Sequence, residues 1–244
     1  MKIALVGFGN MGQEIARIVD ANKKDNIVSI SYDKSNKALD LAGIKTADVV
    51  IDFTSPEIVL KNIEQIAALK KNIVIGTTGW YEGLGQVKQM VKKNNIGLVY
   101  GQNFSIGANI FFEIIRYSSA LVNTFQNYDV YGLEIHHTGK KDSPSGTGKK
   151  LSEIILQNFP SKRSLQFNKL DGQIRKEELH FVSVRGGRNP GKHEIIFDSE
   201  ADEIQLVHQA HNRNGFAEGA LRAAAFIQNK KGFYSFEEVF KKII

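Results

Sequence analysis

Residues 134–150 read EIHHTGKKDSPSGTGKK. Two adjacent histidines, four lysines and a glycine-serine-threonine turn sit within seventeen positions. Four chemistries use such residues: a metal centre, a phosphate loop, a polyanion patch, and an acid–base pair beside an anion clamp. A phosphate loop needs G-x-x-x-x-G-K-[ST], so that glycine amides cradle the phosphates and a hydroxyl meets the metal. Around Gly148 and Lys149 the first glycine would fall on Ser143, and Lys150 stands in the hydroxyl position. A metal site shared by His136 and His137 is equally poor. Consecutive strand residues face opposite ways, and no third ligand is evident nearby, so no metal is expected.

Strand parity puts Leu133, Ile135 and His137 on one face, and Glu134 and His136 on the other. The face of Leu133 and Ile135 is expected to be core, with His137 either inside it or past the strand end. His136 faces the other way, with Lys140 across a loop. A neighbouring cation disfavours the charged imidazole, and an approaching dianion reverses that. PSGTG (144–148) then opens a helix, where the amides of Gly146 and Thr147 lie at its positive end and suit a carboxylate. On residue types alone, a solvated lysine-rich loop explains the stretch as well as an anion site with a proton donor.

A second motif stands at the N-terminus. GFGNMG (7–12) follows an apolar run and opens a helical pattern. In that context Gly7 serves the tight turn, Gly9 the approach of a pyrophosphate, and Gly12 the packing of helix on strand. Asn10 and Met11 complete the loop. Asp33 comes 21 residues after Gly12, where an acid binds the adenosine ribose of NAD. A carboxylate there repels the 2′-phosphate of NADP, while Lys34 beside it attracts it. A modest NADH preference, or use of both NADH and NADPH, is expected. DFTSPE (52–57), GTTG (76–79) and GQNFSIGAN (101–109) end three further strands, on the side where open α/β sheets bind ligands. Gly76 and Thr78 offer backbone to a ligand, Gln102 lies on the third turn, and Phe53 and Phe104 can wall a nicotinamide.

The elements that position these motifs follow from periodicity. Strands at 2–8, 27–33, 47–54, 72–79 and 97–104 alternate with helical patterns, which implies right-handed βαβ units and a parallel sheet. At 55–57, Ser55 is expected to cap a helix, Pro56 to take its first position and Glu57 to favour its positive end. After residue 105 the pattern changes. A long helix (105–125), a strand (128–137), a helix (147–159) and three strands at 180–187, 192–199 and 202–210 imply a mixed meander sheet. Helices at 213–230 and 235–244 close the chain. The fold expected is α/β: a Rossmann-type dinucleotide-binding domain, residues 1–105 completed by 212–244, plus an α+β substrate-binding and oligomerisation domain, 106–211. The net charge of +6 is dispersed, with no nucleic-acid motif, so it suits small anions better than nucleic acid. No apolar run is long enough to span a membrane, and no cleavable leader is evident. The absence of cysteine fits a cytoplasmic location.

GFGNMG, DFTSPE, GTTG, QNFSIGAN, EIHHTGKKDSPSGT, SVRGG (183–187) and the HxxxxFxxGAxxAAxFI pattern from His211 occur in an order and spacing that resembles the 4-hydroxy-tetrahydrodipicolinate (dihydrodipicolinate) reductases over the whole chain. The resemblance implies NAD(P)H-dependent reduction of a dicarboxylate in lysine and diaminopimelate biosynthesis, by a homotetramer. It implies that His136 and Lys140 are the catalytic pair and His137 a substrate-binding neighbour. It further implies that Gly146 and Thr147 clamp a carboxylate, and that Gly76, Thr78 and the Gln102–Phe104 turn line nicotinamide and substrate. The chain is short for the family, and Asn10 replaces the arginine of many members, a departure that favours NADH. A non-catalytic NAD-binding sensor would keep Gly7–Gly12 and Asp33 but have no need of the His136–Lys140 anion site.

Overall fold

A computed structural model describes residues 1–31, 38–167 and 169–243. The first half runs β1 (Lys2–Val6), α1 (Asn10–Asn22), β2 (Asn26–Ser31), α2 (Leu41–Thr46), β3 (Val49–Asp52), α3 (Pro56–Ala68), β4 (Asn72–Ile75), α4 (Leu84–Asn94) and β5 (Gly97–Tyr100). It continues with α5 (Ile106–Val122), β6 (Asp129–His136), α6 (Gly146–Asn158), β7 (Ser164–Gln166), β8 (Glu178–Arg185), β9 (Lys192–Asp198) and β10 (Glu203–Gln209). The chain closes with α7 (Asn214–Ile227), β11 (Gly232–Ser235) and α8 (Phe236–Ile243). It divides into two compact units, one of residues 1–106 and 213–244, the other of residues 107–212.

The first unit holds an all-parallel six-stranded sheet of order β11-β5-β4-β3-β1-β2. Its central strands are apolar on both faces because helices cover both. Ile3, Leu5, Val49, Ile51, Val74 and Val99 meet α1, α7 and α8 on one side. Ala4, Val6, Val50, Ile73, Ile75 and Leu98 meet the opposite layer, with Ile63, Ile66, Val87 and Val91. The buried face of α7 is built from Ala217, Gly219, Ala220, Ala223 and Ala224, which lets the helix lie close. A Cβ on Gly219 would stand 1.8 Å from the Phe104 carbonyl oxygen. Buried Asn72 ties the end of α7 to this sheet. Its amide donates to the carbonyls of Ile227 (2.6 Å) and Gln228 (3.0 Å), and its oxygen accepts from the Gly97 N–H (2.7 Å).

Two local expectations need correction. Ser55 does occupy the N-cap of α3, with Pro56 behind it, but its hydroxyl makes no capping bond. It bonds the Glu57 carboxylate instead and holds that carboxyl below its usual range. The parallel strand β11 was not anticipated; it pairs with β5 from Gly232↔Gly97 to Ser235↔Tyr100.

The second unit holds a mixed five-stranded sheet of order β10-β9-β6-β8-β7. Strand β6 runs parallel to β8 and antiparallel to β9. Helices α5 and α6 cover one face through Phe111, Phe112, Ile115, Leu151, Ile154 and Ile155, packed on Val130, Phe181, Ile195 and Phe197. The parity is the reverse of that expected. Val130, Gly132, Glu134 and His136 are buried, whereas Leu133 and Ile135 are half-buried on the outer face. Two causes are visible. Gly132 has no side chain because its neighbours fill that space: a Cβ there would stand 2.7 Å from the Phe181 ring and 2.9 Å from Ile195. The charge of Glu134 is tolerated inside because polar partners from three strands and a helix surround it.

Candidate active site

Glu134 has no exposed surface. Its Oε1 accepts from the Ser145 N–H (2.9 Å), the Ser183 hydroxyl (2.9 Å) and the Arg185 guanidinium (2.9 Å). Its Oε2 accepts from the Ser145 hydroxyl and lies 3.5 Å from His193 Nε2. Burial pushes this carboxyl up, but the bonds from His193, Ser145 and Arg185 outweigh it and hold the group far below the usual carboxylate range. Ser145 does double duty as the N-cap of α6, accepting from the Gly148 N–H at 3.0 Å. The carboxylate therefore fixes the start of α6, where Gly146 and Thr147 occupy the first two helical positions.

His136, the last residue of β6, is 6 % exposed. Its Nδ1 makes no hydrogen bond and stands 3.9 Å from Glu134 Oε2. Its ring meets that of His193 edge-on, with centroids 5.2 Å apart. Burial pushes its pKa down to about 4, against the pull of the Glu134 carboxylate and with help from His193, Lys140 and Arg185. The imidazole is thus neutral near pH 7. Lys140 pairs with Asp142 at 2.7 Å and keeps about a quarter of its side chain exposed. His137 lies past the strand end, where its N–H donates to the Asn189 carbonyl at 2.8 Å. The turn after β8 grips this segment again, with Gly186 N–H on the His136 carbonyl. Arg185 also reaches the Asp142 carbonyl at 2.6 Å, so one guanidinium holds both Glu134 and the loop that carries Lys140.

Glu134, His136 and His193 place three potential ligand atoms within 4.8 Å of one another. His137 is not among them, and the third member, His193, comes from β9. Sequence reasoning gave no role to His193, Arg185, Ser145 or Ser183. One signal was available: in KHEIIFD, His193 shares strand parity with Ile195 and Phe197, and all three are buried.

In the first unit, Gly7 adopts φ +87°, and a Cβ there would lie 2.4 Å from the Phe53 carbonyl oxygen. No atom comes within 4 Å of a Cβ built on Gly9, the N-cap of α1. The same helix has no side-chain cap. Its first-turn amides and an open approach fit a pyrophosphate. Gly12 sits against the Gly7 carbonyl, and Asn10 and Met11 begin the helix. A cavity of about 260 Å³ is lined by Met11, Phe53, Gly76, Gln102, Asn103, Phe104, Arg213 and Phe216. Five of these are expected cofactor residues, with Phe53 and Phe104 edge-to-face at 6.1 Å. Arg213 and Phe216 were missed because they enter from the start of α7, remote in sequence. Thr78 is exposed and does not line this cavity. Asp33 and Lys34 lie outside the described residues. Beneath the turns, buried Asp52 accepts from Thr54 N–H (2.9 Å) and hydroxyl (2.7 Å), Asn62 (2.9 Å) and Thr77 (3.2 Å).

A family model of the dihydrodipicolinate reductase C-terminus matches residues 107–240, and one of the N-terminus matches residues 1–104. The chain is 34 % identical to the 4-hydroxy-tetrahydrodipicolinate reductase of Christiangramia forsetii, across 98 % of this chain and 97 % of that one. It is 34 % identical to the reductase of the same name from Rickettsia bellii, across 97 % and 92 %. Among solved structures, dipicolinate-bound dihydrodipicolinate reductase from Paenisporosarcina sp. TG-14 superposes with a TM-score of 0.76 at 26 % identity, covering 98 % of this chain and 99 % of that one. Both halves of the chain, the glycine turn on β1 and the histidine cluster on β6, thus fall under one description: the chain belongs to the dihydrodipicolinate reductase family.

Proposed function

We propose that this chain reduces 4-hydroxy-tetrahydrodipicolinate to 2,3,4,5-tetrahydrodipicolinate with a nicotinamide dinucleotide, as the reductases it resembles are named to do. It is an oxidoreductase of lysine and diaminopimelate biosynthesis. The observation that carries the assignment of residues is the buried neutral His136 beside Lys140 and the N-terminus of α6. Loss of water from the substrate gives a conjugated cyclic imine. When bound, the cofactor supplies a hydride to ring C4. Electron density then builds as an enamine, which must take a proton. His136 donates it, and Lys140 adds positive charge and a second donor; such a general acid contributes roughly 100- to 10,000-fold. Gly146 and Thr147 hold one substrate carboxylate at the helix start, and His137 binds beside it.

The cofactor sits on Gly7, Gly9, Asn10, Met11 and Gly12, with its nicotinamide against Phe53, Gly76, Gln102 and Phe104 and its ribose on Asp33. Asn10, an uncharged residue in the glycine loop, supports a preference for NADH. The outer face of the second sheet exposes Tyr131, Val182, Val184 and Val207, which supports assembly as a homotetramer through that unit. A cytoplasmic location accompanies this biosynthetic role.

The test is NADH oxidation with substrate generated enzymatically in the cuvette. His136→Gln and Lys140→Ala each lower turnover strongly while NADH affinity stays near normal. Near-wild-type turnover in both variants overturns the assignment. A strong preference for NADPH overturns the cofactor reading.

A further inference from the structure

Full burial of a carboxylate is costly unless its charge is paired and its lone pairs are filled. Arg185, Ser145 and Ser183 meet that requirement for Glu134. They do not explain why two buried imidazoles share its remaining oxygen, His193 Nε2 at 3.5 Å and His136 Nδ1 at 3.9 Å. A scaffold for α6 needs neither ring.

We infer that Glu134 is a positioning residue for the reduction, the fixed counter-charge that orients the His136 ring and favours its imidazolium. The inference rests on the reading of His136 as the proton donor. Once protonated, both ring nitrogens are donors. The Nδ1–H then has a carboxylate oxygen 3.9 Å away, a gap of the kind that tightens when a site fills. The Nε2–H is left for the substrate. After that proton is given up, the ring returns to neutral with its proton on Nδ1. The partner of one nitrogen thus sets which nitrogen does the chemistry. Nε2 has room because Gly191 lies there, where a Cβ would come within 3.0 Å of it.

The charges around His136 support Glu134 in this role. On its own strand there is Glu134. Arg185 on β8 is bonded to Glu134. Lys140 and Asp142, on the loop, pair with each other. His193 faces it from β9, and His208 lies behind on β10, its ring 6.3 Å from that of His193. Glu134 is therefore the anion that His136 faces without a lysine partner of its own. His193 competes for the same oxygen.

The experiment is the pH dependence of kcat at saturating substrate and NADH for the full-length enzyme and four variants. A required acid makes kcat fall as pH rises through its pKa in the complex. Glu134→Gln is expected to lower kcat on the order of 100-fold, leave the KM for NADH unchanged, and move this fall to lower pH, because the counter-charge is gone. Glu134→Asp keeps the charge, so it recovers part of the rate with the fall near its wild-type position. His193→Gln moves the fall to higher pH, because the competing ring is gone. A Glu134→Gln enzyme with wild-type kcat, or with lowered kcat but an unmoved fall, overturns the inference and leaves Glu134 a scaffold. If Glu134→Gln does not fold, His193→Gln decides alone, and an unmoved fall overturns it. His136→Gln separates the two readings. Near-wild-type turnover there removes the donor assignment itself, whereas an inactive His136→Gln with an unmoved Glu134→Gln profile removes only the role of Glu134.

Discussion

The proposed role of His136 predicts that ligand binding is coupled to uptake of a proton, and the size of the effect follows from burial. With the His136 pKa pushed down to about 4, only about one ring in 1,000 is protonated at pH 7, and about one in ten at pH 5. A planar dicarboxylate such as dipicolinate brings two negative charges to a ring that burial, with His193, Lys140 and Arg185, holds neutral. The complex therefore favours imidazolium, and the proton comes from solvent. Between the free and bound pKa values, affinity changes tenfold per pH unit. Lowering the pH from 7 to 5 tightens dipicolinate binding about 100-fold, or about 2.7 kcal/mol. The ligand carboxylates remain ionised over this range, since ordinary carboxyl groups titrate near ~4. Calorimetry in two buffers of different ionisation enthalpy reads the proton directly, as one equivalent taken up at pH 7. His136→Gln abolishes both the uptake and the slope. A wild-type dissociation constant that is flat from pH 7 to 5, with an enthalpy independent of buffer, refutes the reasoning. His136 would then be neutral in the complex, and Lys140 would carry the proton.

The same ring makes the ligand-free protein acid-sensitive. An unfolded histidine titrates near ~6.5 and the folded His136 near 4, so the unfolded state binds the proton first as pH falls. Unfolding free energy thus drops between about pH 6.5 and 4, by about 3 kcal/mol from this group, and urea titrations across that range check it; a flat stability curve goes against it. Asn72→Ala strips the C-terminal tie of the first sheet and leaves buried carbonyls unpaired, with an expected loss of about 3 kcal/mol in urea denaturation; a loss below about 1 kcal/mol contradicts the tie. Gly219→Ala drives a methyl to 1.8 Å from the Phe104 carbonyl oxygen and costs about 3 kcal/mol or more through forced backbone movement. A variant of wild-type stability would mean that α7 can shift away from the turn before α5.

The parallel half was legible because its signal is redundant. Apolar runs such as those of β3 and β4 are buried on every residue, and each is followed by a glycine or proline turn at the ligand side. Strand β11 left no such mark. It has four residues, all half-buried, and its partner β5 lies far back in the chain. Arg213 and Phe216 were hidden for the same reason, since periodicity describes a segment and not the company it keeps. The reversed parity of β6 has another cause. Hydrophobic alternation assumes that charge faces water, and β6 carries Leu133 and Ile135 on its outer face while Glu134 and His136 face in. Only the partners on β8 and β9 make that arrangement stable, and a single strand does not reveal them. His136 and Lys140 were singled out by motif and spacing; the side chains packed around His136 became visible only in the fold.

Two buried carboxylates show how environment divides one chemical group between two tasks. Asp52 and Glu134 both have no exposed surface, and each accepts from hydroxyl and backbone donors. Burial raises the Asp52 carboxyl, opposed only by the neutral donors Thr54, Asn62 and Thr77. Glu134 is pushed the other way because His193, Ser145 and Arg185 all bond to it, and together they outweigh its burial. The bonds of Asp52 run to the turns after β3 and β4, so its work is to hold two cofactor-side turns together. On the proposed mechanism, the neighbour of Glu134 is a ring that must gain and lose a proton in each turnover. A partner that titrated over the same range would give up its charge as the ring acquired its own. Donors from β9, the start of α6 and β8 remove that hazard by holding Glu134 ionised against its burial, and this set of partners is what distinguishes it from Asp52.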